Sequence, residues 1–231
     1  MSVKLLHNTP LWIADKAIGK CWDKPTPDVE VKEPWNEYTA FARLAPGCNV
    51  ERMERVANKN KHASTIEHLN YTFDITMSRA CLQEWSRHRM TSLSVKSSRY
   101  TLKELKDEEP FADYVCDEDG DYEYEVVEGG SERAKKYLVF TDDDLVNEAS
   151  VFNLEELRKL ISLGIANDKA KYCLPECYKT SMVWTVNARS LQNFLALRTS
   201  KAALWEIRDI AYAVYYALPK SHRFLFADSV N

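Results

Sequence analysis

Residues 70–78, "NYTFDITMS", alternate in character: Tyr71, Phe73, Ile75 and Met77 fall on one side of an extended chain and polar residues on the other. A period of two is that of a strand with one buried face, and aromatic and β-branched side chains suit it. "MVWTVNA" (182–188) is a strand-like run, and "VKLLHN" (3–8) reads as a short opening strand. Helical spacing governs most of the rest. "PLWIADKAIGKCW" (10–22) places Pro10 where a first helical residue tolerates it. "NVERMERVANK" (49–59) sets Val50, Met53 and Val56 three residues apart, whereas "TIEHL" is too short to assign. "RACLQEWSRHRM" (79–90) is expected to be helical, as are "DDDLVNEASVFNLEELRKLISLGI" (142–165) and "RSLQNFLALR" (189–198). "KAALWEIRDIAYAVYYALP" (201–219) carries an apolar seam of Leu204, Ile207, Ala211, Val214 and Leu218 and stops at Pro219. "KPTPDVEVKEP" (24–34) is a proline-punctuated loop. No repeat and no linker separates two cores, and helices outnumber strands. The expectation is an α+β fold, one domain over residues 1–231, with a mixed sheet and flanking helices.

Composition narrows the partners. At 231 residues, 45% hydrophobic and 29% charged, the chain can bury a full core and has no apolar run long enough to span a bilayer. The opening "MSVKLLHNTPLW" lacks a signal-peptide pattern, so a cytoplasmic protein with no membrane partner is expected. The six cysteines, Cys21, Cys48, Cys81, Cys116, Cys173 and Cys177, then read as reduced thiols. Cys173 and Cys177 have no second pair to complete a metal site, and none is expected. Residues 107–132 hold twelve acidic side chains and no lysine or arginine. Without those twelve negative charges the net charge of −4 becomes +8 for the remainder. The body is basic and suits an anionic ligand, while the acidic stretch reads as a solvated surface insertion or mobile loop.

Only six glycines occur, and none stands in a dinucleotide-binding or P-loop pattern. A phosphate-bearing ligand would have to be held by side chains. "RHRMTSLSVKSSRY" (87–100) supplies them: Arg87, His88 and Arg89, then hydroxyls, Lys96 and Arg99, on what reads as a helix end followed by a donor-rich loop. An ordinary helix terminus with favourable dipole charges is the plain alternative. In "NARSLQNFLALRTS", Leu191, Phe194, Leu195 and Arg198 share a helical face, so Arg198 extends an apolar stripe and needs an anionic or carbonyl partner. A ligand and a structural carboxylate are about equally good candidates for that partner. Arg189, Gln192 and Asn193 fall on another side and could read a heterocycle edge. "KHASTIEHL" gathers His62, Ser64, Glu67 and His68, a weak signal alone.

Arg87-His88-Arg89, seven residues, then Ser97 resembles the R-H-R-x7-S signature of flavin-dependent thymidylate synthases. "HASTIEHLNYTF" before it, "SSRY" after it and "WTVNARSLQNFLALR" near the end are similar to that family in the same chain order. The resemblance implies reductive methylation of dUMP to dTMP, with methylenetetrahydrofolate as carbon donor, FAD as redox carrier and NADPH as reductant, in a homotetramer with shared active sites. By the same resemblance, FAD is held by Ser64, Glu67, Arg87, His88, Arg89, Asn187, Arg189 and Asn193, with His62 at the folate and nicotinamide pocket. It places dUMP against Glu84, Arg87, Ser97, Ser98, Arg99, Lys171 and Arg198. The resemblance implies that Arg198 and Ser97 are the catalytic pair, with Arg198 polarising the uracil and Ser97 binding and orienting the nucleotide without covalent attack. Four positions depart from the commoner family pattern. Glu84 stands where glutamine is frequent, Val95 where glutamate is, Lys171 where an arginine fork is, and Ala202 where histidine is. The rivals are a nucleic-acid-binding module, opposed by the sequence pI of 5.8, and a flavoprotein that has lost methyl transfer.

Overall fold

The computed structural model describes residues 1–21, 48–60, 62–116 and 122–231. The loop expected at 24–34 lies outside them. In chain order the elements are β1 (Ser2–Asn8), α1 (Leu11–Cys21), α2 (Val50–Glu54) running into a π turn (Arg55–Lys59), a 3-10 turn (Ala63–Ile66), β2 (Asn70–Ser78), α3 (Arg79–Trp85) and β3 (Thr91–Val95). There follow α4 (Ser98–Thr101), β4 (Ala112–Cys116), β5 (Tyr122–Val126), α5 (Gly130–Ala134), α6 (Asp144–Ser162), α7 (Asn167–Ala170), β6 (Lys179–Asn187), α8 (Ala188–Arg198) and α9 (Trp205–Ala217). A four-stranded sheet has the order β1-β2-β6-β3, so its central pair is drawn from strands about a hundred residues apart in sequence. β4 and β5 form a separate antiparallel hairpin. The class is α+β.

The chain divides into two compact units, one built from residues 2–75, 84–94 and 182–231, the other from 76–83 and 95–181. In the first, the alternation of β2 does what it predicts, and β6 alternates in the same way. Tyr71, Phe73, Ile75, Trp184 and Val186 are buried, with Phe73 and Trp184 stacked at 5.7 Å. Asn187 caps α8 by accepting from the Ser190 amide at 2.9 Å, and the Ala188 amide donates to Leu69 O. That cap aims the buried stripe of Leu191, Phe194 and Leu195 into the core. Ile207, Ala211 and Val214 bury the seam of α9, which begins at Trp205 rather than at Lys201.

The second unit has its own core, in which Leu102, Leu105, Phe111, Leu138, Leu154 and Leu157 are fully or almost fully buried. α6 opens on Asp143, whose carboxylate accepts from the Val146 amide, and closes before Gly164, whose φ of +81° suits a residue without a Cβ. Here the acidic stretch departs from the expected solvated insertion. Residues 113–116 are exposed, but the base of the hairpin is anchored. Phe111 is buried and its amide donates to the buried carboxylate of Glu155, which Arg158 neutralises with two hydrogen bonds. Glu108 accepts from Lys136 and Tyr137, and Arg133 donates to Glu109 O and Pro110 O. Neighbouring cations offset the repulsion among these carboxylates, so the stretch can fold. Excising residues 107–132 would therefore remove a core phenylalanine as well as exposed strand.

Candidate functional site

The expected helix through residues 79–90 ends early. α3 stops at Trp85, whose carbonyl accepts from the His88 amide at 3.0 Å, an i+3 bond that tightens the last turn. Arg87, His88 and Arg89 therefore lie in a turn leading to β3, not on a helix end, and "TSLSV" is strand, not loop. The turn splits the triplet by side. Arg87 and Arg89 are exposed, and neither guanidinium has a hydrogen bond or ion pair among the described residues. His88 turns inward, its ring 5.5 Å from that of Phe194 and 6.5 Å from that of Trp184. Its Nε2 is buried without a partner among the described residues. Burial above all, with the nearby Arg198 charge, lowers its pKa against a raising contribution from the Ser190 backbone. A neutral imidazole that braces the turn from within is the result.

Arg198, the last residue of α8, finds its partner in Glu84. Nη1 donates to Oε2 at 2.6 Å and Nη2 to the Glu84 main-chain oxygen at 2.9 Å. The side chains remain 22% and 39% exposed, so the pair faces outward from the apolar stripe rather than being sealed within it. The structure thus brings together two residues that the sequence assigned separately to the nucleotide. Two contacts leave other N–H donors of the guanidinium free, and the carboxylate holds the plane of those donors fixed.

The flavin-side group is partly engaged. Arg189 Nη1 donates to Glu67 at 2.7 Å in an exposed pair. Asn187 spends its carbonyl oxygen on the α8 cap, while Asn193 is exposed. Gln192 does not join a heterocycle-reading row, because it donates to Leu225 O and Asn58 Oδ1. Ser64 and His62 are exposed, and Ser64 lines a cavity of about 550 Å³ with Trp12, Ile13, Lys16 and His68. The contribution of α1 to that cavity carried no motif in the sequence. Only its amphipathic spacing could have hinted at it.

In the second unit, Ser97 precedes α4 and its hydroxyl makes no cap hydrogen bond. Ser98 is half-buried and Arg99 exposed, with its carbonyl tied by Asn167 Nδ2 at 2.9 Å. Lys171 is half-buried, its ammonium 5.7 Å from the Tyr172 ring centroid. Val95 is 41% exposed and Ala202 is exposed, so neither departure from the family pattern repacks a core.

With this geometry in hand, the family model for thymidylate synthase complementing proteins matches residues 12–222. The chain belongs to the flavin-dependent thymidylate synthase family. It is 52% identical over 229 residues to the flavin-dependent thymidylate synthase of Wolinella succinogenes, covering 98% of this chain and 97% of that one. The synthase of Helicobacter pylori strain J99 is 47% identical over 234 residues, covering both chains fully. A crystal structure of the Helicobacter pylori synthase with FAD and dUMP superposes with a TM-score of 0.82 at 45% identity, covering 100% of this chain and 99% of that one. Arg87 and Arg89, exposed and without an ion pair among the described residues, keep their guanidinium donors free.

Proposed function

We propose that the chain converts dUMP to dTMP, taking the carbon from methylenetetrahydrofolate and the reducing equivalents from NADPH through FAD, as a cytoplasmic homotetramer. The observation that carries this reading is Arg198 held bidentate by Glu84 at the open end of an apolar helix face. Its free donors meet a pyrimidine carbonyl. As the ring is attacked, negative charge grows on that oxygen, and a pre-oriented cation stabilises the developing charge more than the neutral ground state. Glu84 cancels most of the charge of Arg198, which keeps the site receptive to a neutral ring.

Ser97, with its hydroxyl uncommitted, orients the nucleotide beside Ser98, Arg99 and Lys171. Arg87 and Arg89 hold FAD phosphates, with Ser64, Glu67, Arg189 and Asn193 along the cofactor and His62 at the pocket for folate and nicotinamide. His88 supports the turn that presents both arginines. Bound FAD supplies hydride transfer, which this chain has no side chain to perform. Purified protein given dUMP, methylenetetrahydrofolate and NADPH should form dTMP only when FAD is present. NADPH oxidation without dTMP would instead indicate a flavoprotein that has lost methyl transfer.

A further inference from the structure

The loop that the proposed function places on dUMP has little internal support. Ser97 and Arg99 are exposed, Ser98 is half-buried, and α4 is only four residues long. One helical turn fixes several backbone dihedrals for very few hydrogen bonds and does not persist by itself. At its start, Ser97 O accepts from the Tyr100 amide and from the Thr101 hydroxyl, both at 3.1 Å. These bonds are local, so they hold the shape of the turn but not its place in the unit. Beyond the turn, the fully buried Leu102 anchors the chain. Arg99 O takes its bond from much farther away, from Asn167 Nδ2 at 2.9 Å, across 68 residues. Asn167 can supply it because its own helix does not use its side chain. An asparagine at the N-cap would cap α7, but Ala166 holds that position, and the half-buried Asn167 stands one place further in. Its main-chain oxygen accepts from the Lys171 amide, so two successive hydrogen bonds join Arg99 to Asn167 and Asn167 to Lys171. Residues one turn apart lie on the same side of a helix, and Ala170, 1% exposed in the second core, fixes the segment that carries both.

We propose that Asn167 is a positioning residue for the methylation of dUMP. It sets the spacing between the loop Ser97–Arg99 and Lys171, and acts on the nucleotide through them. Nothing in the residue's type or in its sequence neighbours marks it for that task; the hydrogen bond to Arg99 O alone does. The spacing matters because Lys171 is a point charge without the fork of an arginine, so its attraction depends on distance. A loop held in place before the nucleotide arrives loses less conformational freedom on binding, and that saving appears as affinity. The chemical step depends instead on Arg198, which belongs to the other unit. Cutting the tie should therefore weaken dUMP binding and leave turnover at saturating dUMP almost unchanged. The assignment rests on the reading of the chain as a dUMP-methylating enzyme.

The test is steady-state kinetics of the FAD-loaded enzyme, with dUMP affinity by calorimetry, for Asn167→Ala and Asn167→Asp. Removing the donor in Asn167→Ala should raise the dUMP KM about fivefold, with kcat, the NADPH KM, flavin content and Tm close to wild type. Asn167→Asp should raise it about tenfold, because a carboxylate cannot donate to Arg99 O and offers Lys171 an internal anion. An unchanged dUMP KM in Asn167→Ala that still makes dTMP would overturn the positioning role and leave the activity standing. A lowered Tm with every KM moved together would overturn it too, by making the asparagine structural only. Should the wild type bind dUMP but form no dTMP, the proposed activity falls alone. The calorimetric dUMP affinity of the two variants against wild type then decides on Asn167. Should the wild type bind no dUMP, both readings fall.

Discussion

Arg198 and Arg79 are chemically identical side chains in opposite electrostatic states. In the first unit, Arg198 is locked to Glu84, Arg189 to Glu67 and Arg52 to the almost fully buried Asp15. In the second, Arg79 shares a pocket with two lysines, Lys96 and Lys179, and among the described residues only Glu104 pairs with any of the three. A paired arginine is positioned but nearly neutral to its surroundings, which suits a ring that becomes charged only during reaction. An unpaired one keeps its full charge. Pairing, rather than residue type, sets how much charge each arginine presents to its surroundings.

The sharpest break in this contrast is Arg198→Ala. Turnover to dTMP should fall by roughly a hundredfold to a thousandfold with flavin content retained, and wild-type turnover would refute the role. Burial without pairing can be isolated at His222, which is 4% exposed, bonded through Nδ1 to the Tyr71 hydroxyl, and lowered by burial to a pKa of about 4. Between about pH 4 and 6.5 the unfolded chain binds a proton there that the folded chain refuses, so stability rises with pH across that window. Acidification from pH 6.5 to 4 should remove about 3 kcal/mol, and urea melts of His222→Gln should show a flatter profile.

Glu84→Gln comes next. It frees Arg198 from its carboxylate while preserving size, and should lower kcat about tenfold through misorientation rather than through KM. A pure KM effect would mean that Glu84 contacts the nucleotide instead of holding the arginine. The smallest effect is Arg89→Ala, where one exposed phosphate contact is lost. Flavin occupancy at limiting FAD should drop by about tenfold, measured from the absorbance of the purified holoenzyme, and unchanged occupancy would remove Arg89 from the cofactor site.

Repeating patterns along the chain were enough to place β1, β2, β6, α6, α8 and α9 and to identify the buried faces of β2, α8 and α9. That is because a strand or helix brings residues two, three or four apart onto one surface, and the signal is local. The R-H-R-x7-S spacing identified the family for the same reason, since the order of residue types along a chain needs no coordinates. What the sequence could not show depends on partners distant in the chain. The anionic partner that Arg198 requires is Glu84, brought to it by packing across 114 residues. Gln192 looked like a binding residue until the chain end brought Leu225 O within 2.6 Å. The acidic stretch reads as a solvated insertion or mobile loop, and only the fold shows Lys136, Arg133 and Arg158 anchoring its base. Periodicity determines which side of an element is apolar; only the tertiary fold decides which charges meet, because Coulomb energy depends on distance in space and not on separation in sequence.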